Sequence, residues 1–172
     1  MIRFLLFTCS LLLAGCASVD LSDYGGNRPV FDLASYFSGT VDGWGMVQNR
    51  GGKVTQRFSV RIEGRLEGNL LTLDESFEYD DGRRERKTWR LVKDGDRYTG
   101  RREDTVGEGE GRQQGNAFNI RYVLRVPVEG RTWDIDMDDW MYLIDERTVL
   151  NRTRMSKFGF RVGEVSVAFR KR

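Results

Sequence analysis

The sequence predicts an all-β fold: an antiparallel up-and-down β-barrel of the lipocalin type, about ten strands, with a short N-terminal helix. Three observations carry this. Runs of roughly eight to twelve residues alternate apolar and polar, the period of a strand with one buried face. Gly-containing turns separate them, "NRGGK", "EGN", "YDDGR", "KDGDR", "QGNA" and "VEGR". Pro is nearly absent, with Pro29 and Pro127 alone, and no helical stretch intervenes, so consecutive strands pair as a meander. A meander this long closes on itself to hide its edges. A sandwich is the alternative.

Residues 1–15 lie outside the fold. Arg3 supplies a short positive region, and "FLLFTCSLLLAG" is an apolar run too short to span a membrane stably. It ends in "LAGC", Leu13 to Cys16, which resembles the bacterial lipobox. That resemblance implies a lipoprotein signal peptide cleaved before Cys16 and lipidation of Cys16. Ala17, rather than Asp, follows the cysteine, which implies the outer membrane, facing the periplasm, in a Gram-negative envelope. Several acyl chains anchor a protein stably where one does not. Residues 16–30 then read as the lipidated cysteine and a flexible tether, and residues 31–172 as the barrel domain. Within "FDLASYF", Phe31, Ala34 and Phe37 stand at helical spacing and predict one or two turns covering something apolar.

The strands follow at 39–49, 54–64, 68–79, 84–93, 97–106, 108–114, 117–127, 131–143, 148–156 and 159–170. Trp44, just after the helix, is expected to plug the closed barrel end. A two-residue turn at Glu129-Gly130 puts Val126 opposite Trp133, Leu124 opposite Ile135 and Tyr122 opposite Met137, with Arg125 facing Asp134 and Arg121 facing Asp138 on the other side. One face is apolar and the other is charged. A transmembrane barrel would need the reverse, an apolar exterior.

Polar residues on the apolar parity are the informative ones, because a buried charge must be paired or wet. Glu75 shares the parity of Leu71, Leu73 and Phe77. A three-residue turn over Asp80 to Gly82 sets Glu75 opposite Lys87 and Leu73 opposite Trp89. A turn at Asp94-Gly95 brings Arg102 beside Lys87, with Asp104 on the same parity. In "TWDIDMDDWMYLID", Asp139 alone follows Trp133, Ile135 and Met137. Glu75, Lys87, Arg102, Asp104 and Asp139 are therefore candidate polar groups of an internal cavity, or residues of an open barrel end. Gly107, Gly109 and Gly111 alternate in "VGEGEGRQQG", and a turn at Gly115-Asn116 sets Gly109 opposite Tyr122. Together with Tyr122 and Trp89 they are candidate cavity lining, or else mark barrel curvature. No Lys-Ser or Lys-Thr follows these glycines, as a phosphate-binding loop would require. Trp140 and Tyr142 fall on the outward parity as a candidate partner surface, unless a bulge swings them inward.

Composition excludes several classes. The chain has 28 basic and 26 acidic residues, and losing Arg3 with the signal brings them nearer still, which argues against nucleic acid. It contains no histidine. The two cysteines are Cys9, in the signal, and Cys16, so the domain has no disulfide and no Cys/His zinc site. The aspartates of 134–145 lack calcium-loop spacing, so no metal and no cofactor is expected.

The segments "FDLASYFSGTVDGWG", "LTLDESFEYDDG", "DTVGEGEGRQQGNAFNIRY", "DDWMYLID" and "NRTRMSKFGFRVGEV" together resemble a bacterial lipoprotein family, domain of unknown function 3833, over about residues 31–170. "RRED" at Arg101–Asp104 departs from that pattern, which expects smaller, less basic residues there. The resemblance implies no catalytic residues.

Three functions compete. One is a barrel that binds a fatty acyl chain or similar amphiphile, oriented by the inward charges. Another is a non-catalytic envelope scaffold that engages an unknown protein partner through Trp140 and Tyr142. The last is an enzyme without His or Cys, relying on Asp104 with Asp139 or on Glu75 as base.

Overall fold

The computed structural model describes residues 19–128 and 130–172; Cys16 and the signal segment lie outside the described residues. A 3-10 turn at Leu21–Tyr24 precedes helix α1 (Leu33–Phe37). Ten strands follow: β1 (Gly39–Asn49), β2 (Val54–Glu67), β3 (Leu70–Tyr79), β4 (Arg84–Asp94), β5 (Arg97–Arg101), β6 (Gly109–Gln114), β7 (Ala117–Val128), β8 (Arg131–Asp145), β9 (Thr148–Lys157) and β10 (Phe160–Lys171). Each pairs antiparallel with its sequence neighbour, and β1 pairs with β10 from Val41↔Lys171 to Asn49↔Gly163, which closes the barrel. Among the described residues, every element and every core residue lies between Leu21 and Lys171, and the core cluster is contained in the barrel and α1.

The expected alternation governs the faces. Val126↔Trp133, Leu124↔Ile135, Tyr122↔Met137, Glu75↔Lys87 and Leu73↔Trp89 all pair as the turns imply. On the outer face Arg121 bridges Asp138 and Arg125 bridges Asp134, each at 3.3 Å.

Helix α1 closes one end. The Asp32 carboxylate caps it by accepting from Ser35 N at 2.8 Å and also binds Lys93 Nζ. Lys171 Nζ donates to the carbonyls of Ser35, Tyr36 and Ser38, satisfying groups that a short helix leaves unpaired. Phe31, Leu33 and Phe37 are buried over Val41, Ile62, Leu71, Leu91, Tyr98, Phe118, Val149 and Phe169. A Cβ on Gly64 would lie 1.7 Å from the Phe37 carbonyl oxygen, so glycine is what allows the helix to seat there.

Several expectations need correction. Strand β5 stops at Arg101, because a turn follows in which Thr105 Oγ1 accepts from Arg102 N and donates to Arg102 O. The β4–β5 turn is centred on Gly95-Asp96, since Asp94 pairs with Arg97, so Arg102 is not a ladder partner of Lys87. Trp44 does not plug the closed end. It points outward between Ser59 and Ala168, 57% exposed, and the plug is made by Phe31, Leu33 and Phe37 instead. The tether is structured from Asp20: its carboxylate caps the 3-10 turn, and Tyr24 packs on the outer wall.

Candidate functional site

The barrel interior holds a cavity of about 600 Å³, within the size range of small-molecule sites. Its floor is Leu33 and Phe37 of α1; its far end reaches Gln56, Arg83, Glu85, Val126 and Met155, near the opposite turns. Between them the wall is mostly apolar, interrupted by one polar girdle.

The short β5 and β6 build that girdle. Where β5 ends, the chain crosses to β7: Arg125 N donates to Asp104 O at 2.8 Å, Val106 N donates to Val123 O at 2.9 Å, and Thr105 bridges Leu124. The Glu103 carboxylate accepts from Thr88 N, filling a ladder position that β5 vacates on β4. This crossing turns Arg102 and Asp104 into the barrel. Arg102 Nε and Nη2 donate to the two Asp104 oxygens at 2.7 and 3.2 Å, a bidentate pair, and Nη1 reaches Glu75 Oε2 at 3.3 Å. Lys87 Nζ lies 3.1 Å from Asp104 Oδ2. The guanidinium also sits 5.4 Å from the Trp89 ring, and Trp89 meets Tyr122 edge-on at 5.1 Å.

Asp139 forms the second half of the girdle, on the inner face of β8. It accepts from Asn151 Nδ2, and Tyr122 OH donates to its Oδ2 at 3.4 Å. The tyrosine thus stands between the Arg102 cluster and Asp139. Burial pushes the Glu75 carboxyl up to about 7, against the pull of Arg102, with Asp104 and Asp139 adding to the rise. Burial likewise lifts Asp139 to about 6, against hydrogen bonds from Asn151, Thr153 and Tyr122. Burial would raise Asp104 too, but Arg102 and Lys87 outweigh it and hold it below the ordinary value. Burial also raises the Tyr122 hydroxyl well above its usual range, so it remains a donor. The girdle can therefore donate hydrogen bonds, hold an ion pair, and take up or release protons near neutrality. Among the described residues, no group of three or more His, Cys, Asp or Glu is placed to hold a metal.

Glu75, Lys87, Arg102, Asp104 and Asp139 all line the cavity, as do Trp89 and Tyr122. The glycines do not. Gly107 sits exposed in the β5–β6 loop at φ 75°. A Cβ on Gly109 would meet Tyr122 Cβ at 2.9 Å, and one on Gly111 would meet Phe118 Cζ at 2.7 Å. These inward glycines are spent on seating aromatic side chains of β7, not on leaving space. Trp140 and Tyr142 stay on the outer face, since the β8 irregularity falls between Leu143 and Asp145, beyond them. They are not a bare patch. Their rings stack 6.0 Å apart, Tyr24 covers them at 5.9 and 5.3 Å, and Trp140 Nε1 donates to Asp138 at 3.1 Å.

Sequence reasoning missed Asn151 and Thr153, which are buried beside Asp139. Both share the parity of Val149 and Met155 in "TVLNRTRM", the same signal that singled out Asp139.

The family described as "Protein of unknown function (DUF3833)" matches residues 10–171. The chain belongs to that family. Among curated proteins, none matches it. The fold of this DUF3833 member is similar to a Nostoc punctiforme protein of unknown function from the DUF3598 family, with TM-score 0.60 and 15% identity over 84% of this chain and 51% of that one. The chain thus spans about half the length of the Nostoc protein. It is also similar to the S-type phycobiliprotein lyase of Guillardia theta, with TM-score 0.56 and 8% identity over 90% of this chain and 99% of the lyase. At these identities the likeness establishes a shared barrel fold and nothing about ligands.

Proposed function

We propose that this DUF3833 member is a lipoprotein, anchored through Cys16 to the periplasmic face of the outer membrane, whose barrel binds an amphiphile of the fatty acyl class. The observation that carries the reading is the cavity of about 600 Å³: an apolar wall crossed by one girdle of buried ionisable groups. A filled structural core has no use for Glu75, Arg102, Asp104 and Asp139 together, because each buried charge costs desolvation free energy. A ligand with an apolar tail and a polar head uses both surfaces. The tail lies along side chains such as Ile62, Leu73, Phe118 and Phe169; the head meets Arg102, Lys87 and Tyr122. The phycobiliprotein lyase shares the barrel fold, and its name fits a small-molecule role for such a barrel.

The test is thermal unfolding of lipid-free protein. Saturating long-chain fatty acid raises the melting temperature, because ligand bound only to the folded state stabilises it by mass action. A straight-chain alkane of the same length raises it less, and Arg102→Ala removes most of that difference. No rise with either a fatty acid or a phospholipid overturns the reading.

A further inference from the structure

The barrel end opposite α1 carries a surface that neither the fold nor the cavity explains. At the β9–β10 turn, Phe158 is 79% exposed and Phe160 66% exposed. Phe158 also adopts φ 51°, followed by Gly159 at φ 79°. A two-residue turn of this handedness favours Asn-Gly, and a bulky aromatic in the left-handed region is strained. Phe158 therefore works against its own backbone while burying little of its ring. Neighbouring turns extend the apolar surface. Val54 follows the β1–β2 turn, Val128 precedes the β7–β8 turn, and Val162 follows Phe160; all three are exposed.

Basic residues flank this surface on the β7–β10 and β1–β2 side, while the β3–β4 turn and β5–β6 loop across the mouth carry Asp80, Asp81, Glu103 and Glu108. Arg50 and Lys53 lie in the β1–β2 turn, Arg131 begins β8, and Lys157 and Arg161 flank the phenylalanines. Lys157 Nζ lies over the Phe158 ring, 4.8 Å from its centroid, and also donates to the Asp134 carbonyl. In the turn sequences 49–54, 128–131 and 157–160, Glu129 is the one acidic residue. At the α1 end the turns "EGN", "DGDR" and "DERT" carry acid and "QGNA" carries none, and no exposed aromatic lies among the described residues there.

We propose that the β1–β2, β7–β8 and β9–β10 turns dock the barrel onto an anionic lipid surface, with Phe158 and Phe160 inserted and the cavity mouth toward the headgroups. Exposed aromatics flanked by cations are the composition of interfacial membrane anchors. The same end holds the cavity residues Gln56, Val126 and Met155, so an amphiphile leaving the bilayer enters without crossing water. Docking needs neither Cys16 nor a ligand in the cavity, and so goes beyond the ligand reading.

The experiment uses residues 19–172, which contain the ten strands, the helix and the core cluster. This chain is sedimented with vesicles of phosphatidylglycerol and, separately, of phosphatidylcholine. The expected result is co-sedimentation with phosphatidylglycerol that weakens in high salt and falls at least about tenfold in the double variant Phe158→Ser, Phe160→Ser. Charge reversal by Arg50→Glu with Lys53→Glu lowers it independently. Protein left in the supernatant with phosphatidylglycerol, equal binding to phosphatidylcholine, or an unaffected double variant overturns the proposal. Neither phenylalanine lines the cavity, so the double variant retains fatty acid binding if the ligand reading holds. Failure of one reading is thereby separated from failure of the other.

Discussion

The two halves of the barrel answer different demands. Toward α1 the interior is dry and aromatic: Phe31, Phe37, Val41, Leu71, Tyr98, Phe118 and Val149 are almost wholly buried, and they pack against one another. Toward the mouth the interior holds Glu75, Lys87, Arg102, Asp104 and Asp139, which are paired only with each other and with polar neighbours. Burying methylenes stabilises a fold; burying ion pairs roughly breaks even or costs. The closed half thus supplies cohesion and the cavity floor, and the mouth half adds buried ionisable groups at some expense of stability. The regular part of the meander serves the first demand, and the β5–β6 crossing serves the second.

Substitutions that break this division should have graded effects. Phe37→Ala at the closed end should cost about 3–5 kcal/mol in denaturant unfolding, the largest single loss, because it removes a fully buried ring from the core cluster that seats α1. Arg102→Ala should cost on the order of 3 kcal/mol by the same measurement, since Glu75 and Asp104 lose their shared partner inside the barrel. Replacing the set together, as Arg102→Met and Lys87→Met with Glu75→Gln and Asp104→Asn, should be neutral or stabilising while abolishing ligand effects. A large loss in that quadruple variant would contradict the division.

Stability should also depend on pH through Glu75 and Asp139, at pH values above those where the lowered carboxylates, Asp32 of α1 and Asp104 among them, titrate. Folded Glu75 titrates at about 7 and Asp139 at about 6, above their ordinary values of 4.5 and 3.8. The folded state therefore binds these protons more tightly than the unfolded state. Stability is fullest below pH 3.8–4.5 as far as these groups are concerned, and declines as pH rises toward about 7. Glu75→Gln and Asp139→Asn should each flatten that decline in unfolding curves taken across the window. The smallest effect is expected on the outer wall, where Tyr24→Ala should cost about 1 kcal/mol and make Trp140 fluorescence accessible to aqueous quenchers.

How much of this could be read from sequence follows from the same division. Alternation and turn chemistry fix register wherever a strand has one buried face. The β7–β8 and β3–β4 hairpins, and with them Glu75 and Asp139, were therefore visible in advance. The parity of Asn151 and Thr153 held the same signal. The crossing at 102–108 was not visible, because its course depends on one hydroxyl, Thr105 Oγ1, and on Glu103 replacing a strand partner. Alternation by itself reads that segment as more strand. The glycines of β6 misled for a related reason: parity places a residue inward but does not say whether a ring from the next strand fills the room it leaves. Trp140 and Tyr142 were rightly placed outward. Their cover, Tyr24, lies 118 residues from Tyr142 along the chain, beyond any local pattern.

The central claim is that the barrel holds an open, ligand-receiving cavity. Native mass spectrometry of the barrel, incubated with a long-chain fatty acid and then freed of excess lipid, tests it most directly. The expected result is a one-to-one adduct that disappears in Leu73→Trp, which adds bulk to the cavity wall on β3, and persists in Trp44→Ala on the outer wall. No adduct with the native protein, or one that survives Leu73→Trp, would contradict it.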